Sequence, residues 1–353
     1  MNRVIGLTRL LLPLCAAGLL MSCGQPQETA DTASAGQKVV RGAGATFPQP
    51  LYERWIDEYS KSNPGAKFEY DGVGSGEGVK RFIAGEVDFG ASDAAMKDSE
   101  IAQVERGVAL LPMTAGMVVL GYNLPGFEGE LKLPRDVYVD IMLGNIYRWD
   151  DPRIAAANPD AVMPPRLIQV VARRDSSGTT FAFTNHLGTV SEEWRNGPGV
   201  GTLIDWPGGA VTGSGNAGVA QKIKITNNSI GYLEFGFAKR IGLSVATLQN
   251  QSGAYVSPST SSGQQALAAG SQDTGDDLRI YVPDPPGEQS YPIVSYTWLL
   301  AYRSYPDAET ARAVREAVTW GLDNGQPLAE EMGYIPLPET VRQRALAVVD
   351  QIN

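Results

Sequence analysis

Three times along this chain a short strand pattern breaks into a loop of glycine and small hydroxyl residues, and a helical pattern follows at once. Units of that kind commit a chain to α/β layering, because each strand end then lies beside the start of a covering helix. The first unit runs from Lys38-Val-Val-Arg41 through Gly42-Ala-Gly-Ala-Thr-Phe-Pro48 into Leu51, Trp55, Ile56 and Tyr59 at helical spacing. The second runs from Lys67-Phe-Glu-Tyr70 through Gly72-Val-Gly-Ser-Gly-Glu-Gly78 into Val79, Phe82 and Ile83. It continues to a short strand, Val87-Asp-Phe-Gly-Ala-Ser-Asp93, that ends on a carboxylate. The third runs from the apolar strand Leu167-Ile-Gln-Val-Val-Ala172 through Arg173-Arg-Asp-Ser-Ser-Gly-Thr-Thr180 into a helix carrying Phe181, Phe183 and Leu187.

Each loop sets N–H groups and hydroxyls at a helix start, where the orphan amides and the helix dipole favour an anion. The first offers the Thr46 hydroxyl and the Phe47 amide, and the second offers Ser75. The third offers Ser177, Gly178 and Thr179, with Arg173 four residues ahead of Ser177. A guanidinium is the side chain best shaped to hold a tetrahedral oxyanion through two bonds. A single loop of this type is an ordinary helix cap, but three of them with one arginine describe a small-anion site. The glycines fit no nucleotide pattern: no P-loop lysine stands before a Ser or Thr, and the Gly72–Gly78 spacing is not a dinucleotide fingerprint.

The first 37 residues read differently. Arg3 and Arg9 precede an apolar run from Leu10 to Met21, too short to span a bilayer and ending in small residues, so residues 1–22 are expected to be a signal peptide. Leu20-Met-Ser-Cys23 is similar to a bacterial lipobox, which makes Cys23 the expected lipidated first residue of the exported protein. Ordinary signal cleavage without a lipid is the alternative. Cys15, the other cysteine, leaves with the signal, so no disulfide is expected. Residues 23–37 are small and polar and read as a flexible tether. Loss of the two arginines moves the formal charge from −10 to −12, which argues against nucleic acid as a partner but leaves a buried anion site open.

At 353 residues, with 43% apolar and 19% charged, the chain suits two lobes with full cores. The sequence is a poor match to an enzyme. Its lone histidine, His186, sits inside the third helix, where a packed residue is the ordinary reading, and no metal set can be built around it. No catalytic residue, metal or cofactor is expected, although a phosphatase-like enzyme stays open as a competitor. Trp149, Trp194, Trp206 and Trp298 read as core or cleft-edge packing.

The loops Gly42–Pro48, Val87–Asp93 and Ser177–Thr179 resemble those of the periplasmic phosphate-binding proteins of phosphate-specific ABC transporters. The likeness extends in order through Ile146–Asp151, Glu192–Trp194, Gly213–Gly218, Ser229–Tyr232 and Tyr291–Ile293, nearly the whole exported chain. It implies an α/β type II periplasmic-binding fold: two lobes joined by a two-strand hinge over a ligand cleft, with lobe I at about 38–116 plus 290–353 and lobe II at about 117–289. It also implies a phosphate-binding set of Thr46, Phe47, Ser75, Asp93, Arg173, Ser177, Gly178 and Thr179. The partners it implies are inorganic phosphate, permease subunits of an importer and, through Cys23, a membrane; a monomer is expected. Another tetrahedral oxyanion is the alternative ligand.

Asp93 carries the expected selectivity. An ionised carboxylate only accepts hydrogen bonds; phosphate near neutral pH still has a proton to give, and sulfate does not. Two residues depart from the family's pattern. Glu77 stands where small residues are frequent and is expected to face solvent from the first helical turn. Arg174 is expected at the surface or as a partner for Asp175, and an ion pair of Asp175 with Arg173 would orient that guanidinium.

Overall fold

The structure, a computed structural model, describes residues 38–270 and 277–353. The signal peptide, Cys23 and the tether all lie outside the described residues. Twelve strands are found among the described residues: β1 (Lys38–Gly44), β2 (Ala66–Gly72), β3 (Phe89–Ser92), β4 (Val108–Asn123), β5 (Lys132–Leu133), β6 (Gln169–Arg173), β7 (Val211–Gly213), β8 (Ser229–Glu234), β9 (Ser244–Val245), β10 (Thr247–Gln249), β11 (Tyr255–Val256) and β12 (Val294–Tyr302). The principal sheet runs β2-β1-β3-β12-β4-β8-β6-β7, with β9 also on β4, and a small sheet pairs β11, β10 and β5.

The long strand β4 organises everything else. Its run Val-Ala-Leu-Leu-Pro-Met-Thr-Ala-Gly-Met-Val-Val-Leu-Gly-Tyr is buried throughout, the near-continuous apolar pattern of a strand covered on both faces. Residues Val108–Met117 pair antiparallel with β12, whereas Val118–Asn123 pair with β8, so the strand changes partner between Met117 and Val118. The Val118 N–H reaches the Ile293 carbonyl at 3.0 Å, just before β12 begins. Pro112, which cannot donate to a ladder, sits opposite Trp298 where the β4–β12 register shifts.

On one side of this changeover β1, β2 and β3 run parallel; on the other, β6, β7 and β8 do. Two glycines read as loop belong to β1 instead. Gly42 and Gly44 pair with Tyr70 and Gly72 on one flank and with Phe89 and Ala91 on the other. A β-carbon on Gly42 would overlap the Phe89 ring, and one on Gly44 the Ala91 backbone, so these positions are glycine for close packing rather than for a turn. The second glycine loop is shorter than its sequence suggests as well, because the helix Ser75–Ile83 begins inside it.

Aromatic layers fix the helices on the sheet. Trp55 and Tyr52 stack at 5.8 Å on the helix Gln49–Ser62, and Phe82 stacks on Tyr302 at 4.2 Å. In the other half, Phe183 on the helix Gly178–Val190 stacks on Tyr232 at 4.7 Å, and Trp206 packs against Tyr232 and Trp194. All four tryptophans singled out in the sequence are buried. His186 is also fully buried, between the Tyr138 hydroxyl at 2.8 Å and the Pro283 carbonyl at 2.6 Å. No helix of the described residues is long and apolar enough to cross a membrane.

Candidate anion-binding site

Four helix N-termini converge where β1, β3 and β6 end. They open at Gln49, Ser75, Gly178 and Gly215, and the helices behind them are 14, 9, 13 and 11 residues long. All eight residues singled out for ligand binding lie in these loops and strand ends, and all eight are buried.

Arg173 is the last residue of β6, and its backbone N–H donates to the Tyr232 hydroxyl at 3.0 Å, a phenol held by the Phe183 stack. Its side chain is 1% exposed. Nε donates to Asp175 Oδ1 at 3.0 Å, a second bond runs from Nη2 to Asp175 Oδ2, and Nη1 donates to Thr179 Oγ1 at 3.3 Å. The guanidinium is therefore both ion-paired and aimed at the third loop. Burial alone would push the Asp175 carboxyl up, but Arg173 and the Gly215 N–H at 2.9 Å hold it below its usual value. Arg174 does not share in this pair: it is exposed and donates to Ser214 Oγ at 2.6 Å.

Asp93, directly after β3, is 1% exposed. Its backbone N–H donates to Ser75 Oγ at 3.2 Å, and the Ser75 hydroxyl reaches Oδ2 at 3.4 Å, a long bond. Oδ1 is buried and has no hydrogen-bond partner among the described residues. Burial raises the carboxyl to a pKa of about 7, against the opposing pull of Thr297, Arg173 and Ser75.

Hydroxyls and amides from the two halves of the sheet meet here. The Gly178 N–H donates to Ser75 Oγ at 3.0 Å, and Gly76 N–H to the Ser176 carbonyl at 3.1 Å. Ser177 caps its helix by accepting from Thr180 N–H at 3.1 Å, and its own N–H goes to the Thr202 carbonyl. Phe47 is wholly buried, and its carbonyl accepts from the Tyr334 hydroxyl at 2.8 Å. Glu77 lies on the outer side of its first turn, half-exposed, bound to Arg81 at 3.0 Å, as its position in the sequence suggests.

Sequence reasoning missed Asn216 as a site residue. Its N–H and Nδ2 both reach Thr46 Oγ1 at 3.1 Å, and Nδ2 also reaches Thr179 Oγ1 at 3.1 Å, so one amide ties the first loop to the third. Its Oδ1 accepts from Glu234 N–H at 2.9 Å. The signal was present in Gly213-Ser-Gly-Asn-Ala-Gly218, a fourth glycine-rich helix start, but no charged residue marked it. Thr46, Asp175 and Gly215 also line a cleft of about 300 Å³ with Gln49, Val73 and Phe237.

A PBP superfamily domain matches residues 28–319. The chain is 39% identical over 311 residues to the phosphate-binding protein PstS of Pasteurella multocida, covering 88% of this chain and 89% of that one. It is 36% identical over 337 residues to the protein of the same name from Methanocaldococcus jannaschii, covering 89% and 86%. In three dimensions it is similar to a high-affinity periplasmic phosphate-binding protein solved with phosphate bound, at a TM-score of 0.71 and 22% identity over 87% of this chain and 93% of that one. A phosphate-binding protein from Stenotrophomonas maltophilia gives a TM-score of 0.68 at 20% identity, over 88% and 93%. At those identities the two structures speak for the two-lobed fold.

Proposed function

The chain belongs to the PBP superfamily and to the PstS phosphate-binding proteins within it, and from that premise we propose that it captures inorganic phosphate outside the cytoplasm and hands it to an ABC importer. The observation that carries this reading is a buried carboxyl with unused acceptor capacity set among donors. Asp93 Oδ2 has only one long bond, and Ser75, Gly178 and Arg173 stand around the carboxyl.

The ligand set is Thr46, Phe47, Ser75, Asp93, Arg173, Ser177, Gly178 and Thr179. Arg173 supplies the one full positive charge, and Asp175 fixes its orientation while cancelling its field at long range. The anion is held chiefly by neutral donors and helix N-termini, which a protein of formal charge −12 after loss of the signal can offer without attracting anions in general. Asp93 accepts the proton that phosphate retains near neutrality. Sulfate brings no such proton and leaves two negative groups opposed in a dry site, a mismatch that polar sites reject by several powers of ten. Lobe I takes about 38–116 plus 290–353 and lobe II about 117–289, a division supported by the partner change in β4 and the Ile293 contact. Phosphate favours the closed form because only closure brings the donors of both lobes together.

Residues 1–22 act as a signal, Cys23 takes the lipid and 23–37 tether a monomeric receptor to the membrane, a reading supported by the lipobox pattern alone. The protein needs no cofactor and performs no catalysis: the lone histidine is spent on Tyr138 and Pro283, and burial lowers its pKa to about 4.

Isothermal titration of the protein lacking residues 1–37, with phosphate and then sulfate at neutral pH, tests the reading. One-to-one phosphate binding with no sulfate signal is expected, and Asp93→Asn should weaken phosphate and narrow the gap to sulfate. Equal binding of both anions by the unaltered protein would overturn the role of Asp93, and binding of neither would overturn the function.

A further inference from the structure

Behind Asp93, on the side away from lobe II, the structure holds a second set of buried oxygens that the binding site does not use. Three oxygens share one condition: Asp93 Oδ1, the Thr297 hydroxyl and the Tyr52 hydroxyl are all buried and all lack a hydrogen-bond partner among the described residues. Each is costly to leave unpaired in a protein interior, so three together call for an explanation.

The sheet register brings them together. Trp298 of β12 pairs with Ser92, the last residue of β3, in antiparallel sense. Continued one step, that register sets Thr297 opposite Asp93, in keeping with the pull of Thr297 on the Asp93 carboxyl, and residues opposite one another project to the same face. Tyr52 approaches from the helix Gln49–Ser62, whose buried side packs onto that face. The two oxygens of Asp93 also look different ways. Oδ2 lies toward lobe II, bonded to Ser75 and only 2.7 Å from where a β-carbon on Gly178 would stand; Oδ1 makes neither contact.

We propose that Tyr52, Thr297 and Asp93 form a one-way hydroxyl relay, Tyr52 O–H to Thr297 Oγ1 and Thr297 O–H to Asp93 Oδ1, which makes Thr297 the positioning residue that keeps Asp93 an acceptor toward the ligand. The inference rests on the reading that Asp93 accepts the proton of phosphate. A carboxylate whose rear oxygen receives a donor is stabilised as the anion, and its front oxygen is left with lone pairs only. Tyr52 suits the far end, since burial and then the nearby Asp93 charge push its phenol up, so it remains a donor at every physiological pH. The other ionisable groups facing Asp93 are Arg173 from β6, Tyr70 from β2, Glu234 from the end of β8, and Tyr334. Of these only Arg173 also favours the anion, and it does so from the ligand side. The relay is the counterpart on the closed, dry side.

The test is phosphate affinity by titration calorimetry from pH 5 to pH 9 for the unaltered protein, Thr297→Val, Thr297→Ser and Tyr52→Phe. Thr297→Val keeps the shape and removes the hydroxyl. It should weaken phosphate by about tenfold or more, the ordinary effect of taking one hydrogen bond from a buried charge, and should move the acid limb of the affinity profile to higher pH. Thr297→Ser should restore both, and Tyr52→Phe should move the limb in the same direction by less. A Thr297→Val profile that superimposes on that of the unaltered protein would overturn the relay. Should that variant not fold, the same superposition for Tyr52→Phe would do so. If Asp93→Asn leaves phosphate binding unchanged, the reading beneath the relay has failed, a separate outcome that the same titrations reveal.

Discussion

Gly178 shows how tightly one residue can be specified. A β-carbon there would stand 2.5 Å from both Asp93 Cβ and Ser75 Oγ, groups carried by the other half of the principal sheet. Overpacking of this kind costs about 1–3 kcal/mol, and on the lobe division proposed above it would fall on the closed form alone, because separating the lobes would remove the clash. Gly178→Ala should therefore bind phosphate about 5- to 150-fold more weakly while its melting temperature without ligand changes little; calorimetric titration and scanning calorimetry on the same sample check both halves. Ser75 and Gly178 were legible in the sequence as anion-loop residues, but their bond to each other was not, since they lie 103 positions apart. Arg173 was legible as the candidate cation from its place four residues ahead of Ser177, and the family resemblance favoured it over Arg174. What assigns it geometrically is that it ends β6 with its side chain turned inward, whereas Arg174 turns out to Ser214.

At the scale of elements, the four helix starts carry the site, and the fourth was the least visible. The first three were read from their hydroxyls, with one arginine ahead of the third; the helix Gly215–Ile225 offers Asn216 instead, an uncharged side chain that makes three bonds, to Thr46, Thr179 and the Glu234 N–H. Asn216→Ala would leave Thr46 and Thr179 without that donor and the buried Glu234 N–H without its acceptor. The loss expected is about 1–3 kcal/mol of stability for the unpaired amide, read as a lower urea midpoint with an unchanged slope, together with weaker phosphate binding. The glycine loops also misled at this scale. Gly42 and Gly44 read as loop by composition, yet they complete a central strand, because what excludes a side chain is the neighbouring strand and not the local turn.

For the whole molecule, buried ionisable groups set the pH at which the unliganded protein is most stable. Burial raises Asp93 to about 7 and Glu234 to about 8, both above the ordinary carboxylate values they regain on unfolding. Their contribution is therefore full below about pH 4 and is lost as the pH rises through 7 and 8. Buried His186 works in the opposite sense: with its pKa lowered to about 4, its contribution is full above the ordinary histidine value and is lost as the pH falls from about 6.5 toward 4. Between about pH 4 and 6.5 the carboxyls and His186 act against each other, and above that only the carboxyl loss remains, so melting temperature should fall from about pH 6.5 to 8 and then level off; Asp93→Asn should make that fall shallower, and a profile unchanged by that substitution would reject the assignment. The changeover in β4 has its own bearing on how the receptor works. Its two ladders end and begin at adjacent residues, Met117 and Val118, so on the proposed lobe division the lobes would turn about that peptide without either ladder unzipping. Opening is then a torsion rather than a local melting event, and hinge motions of that class run in microseconds to milliseconds. At scarce, submicromolar solute, encounters are slower than that even at association rates of about 10⁷ per molar per second, so the rate of capture is governed by supply from the surroundings and not by the machinery of the protein.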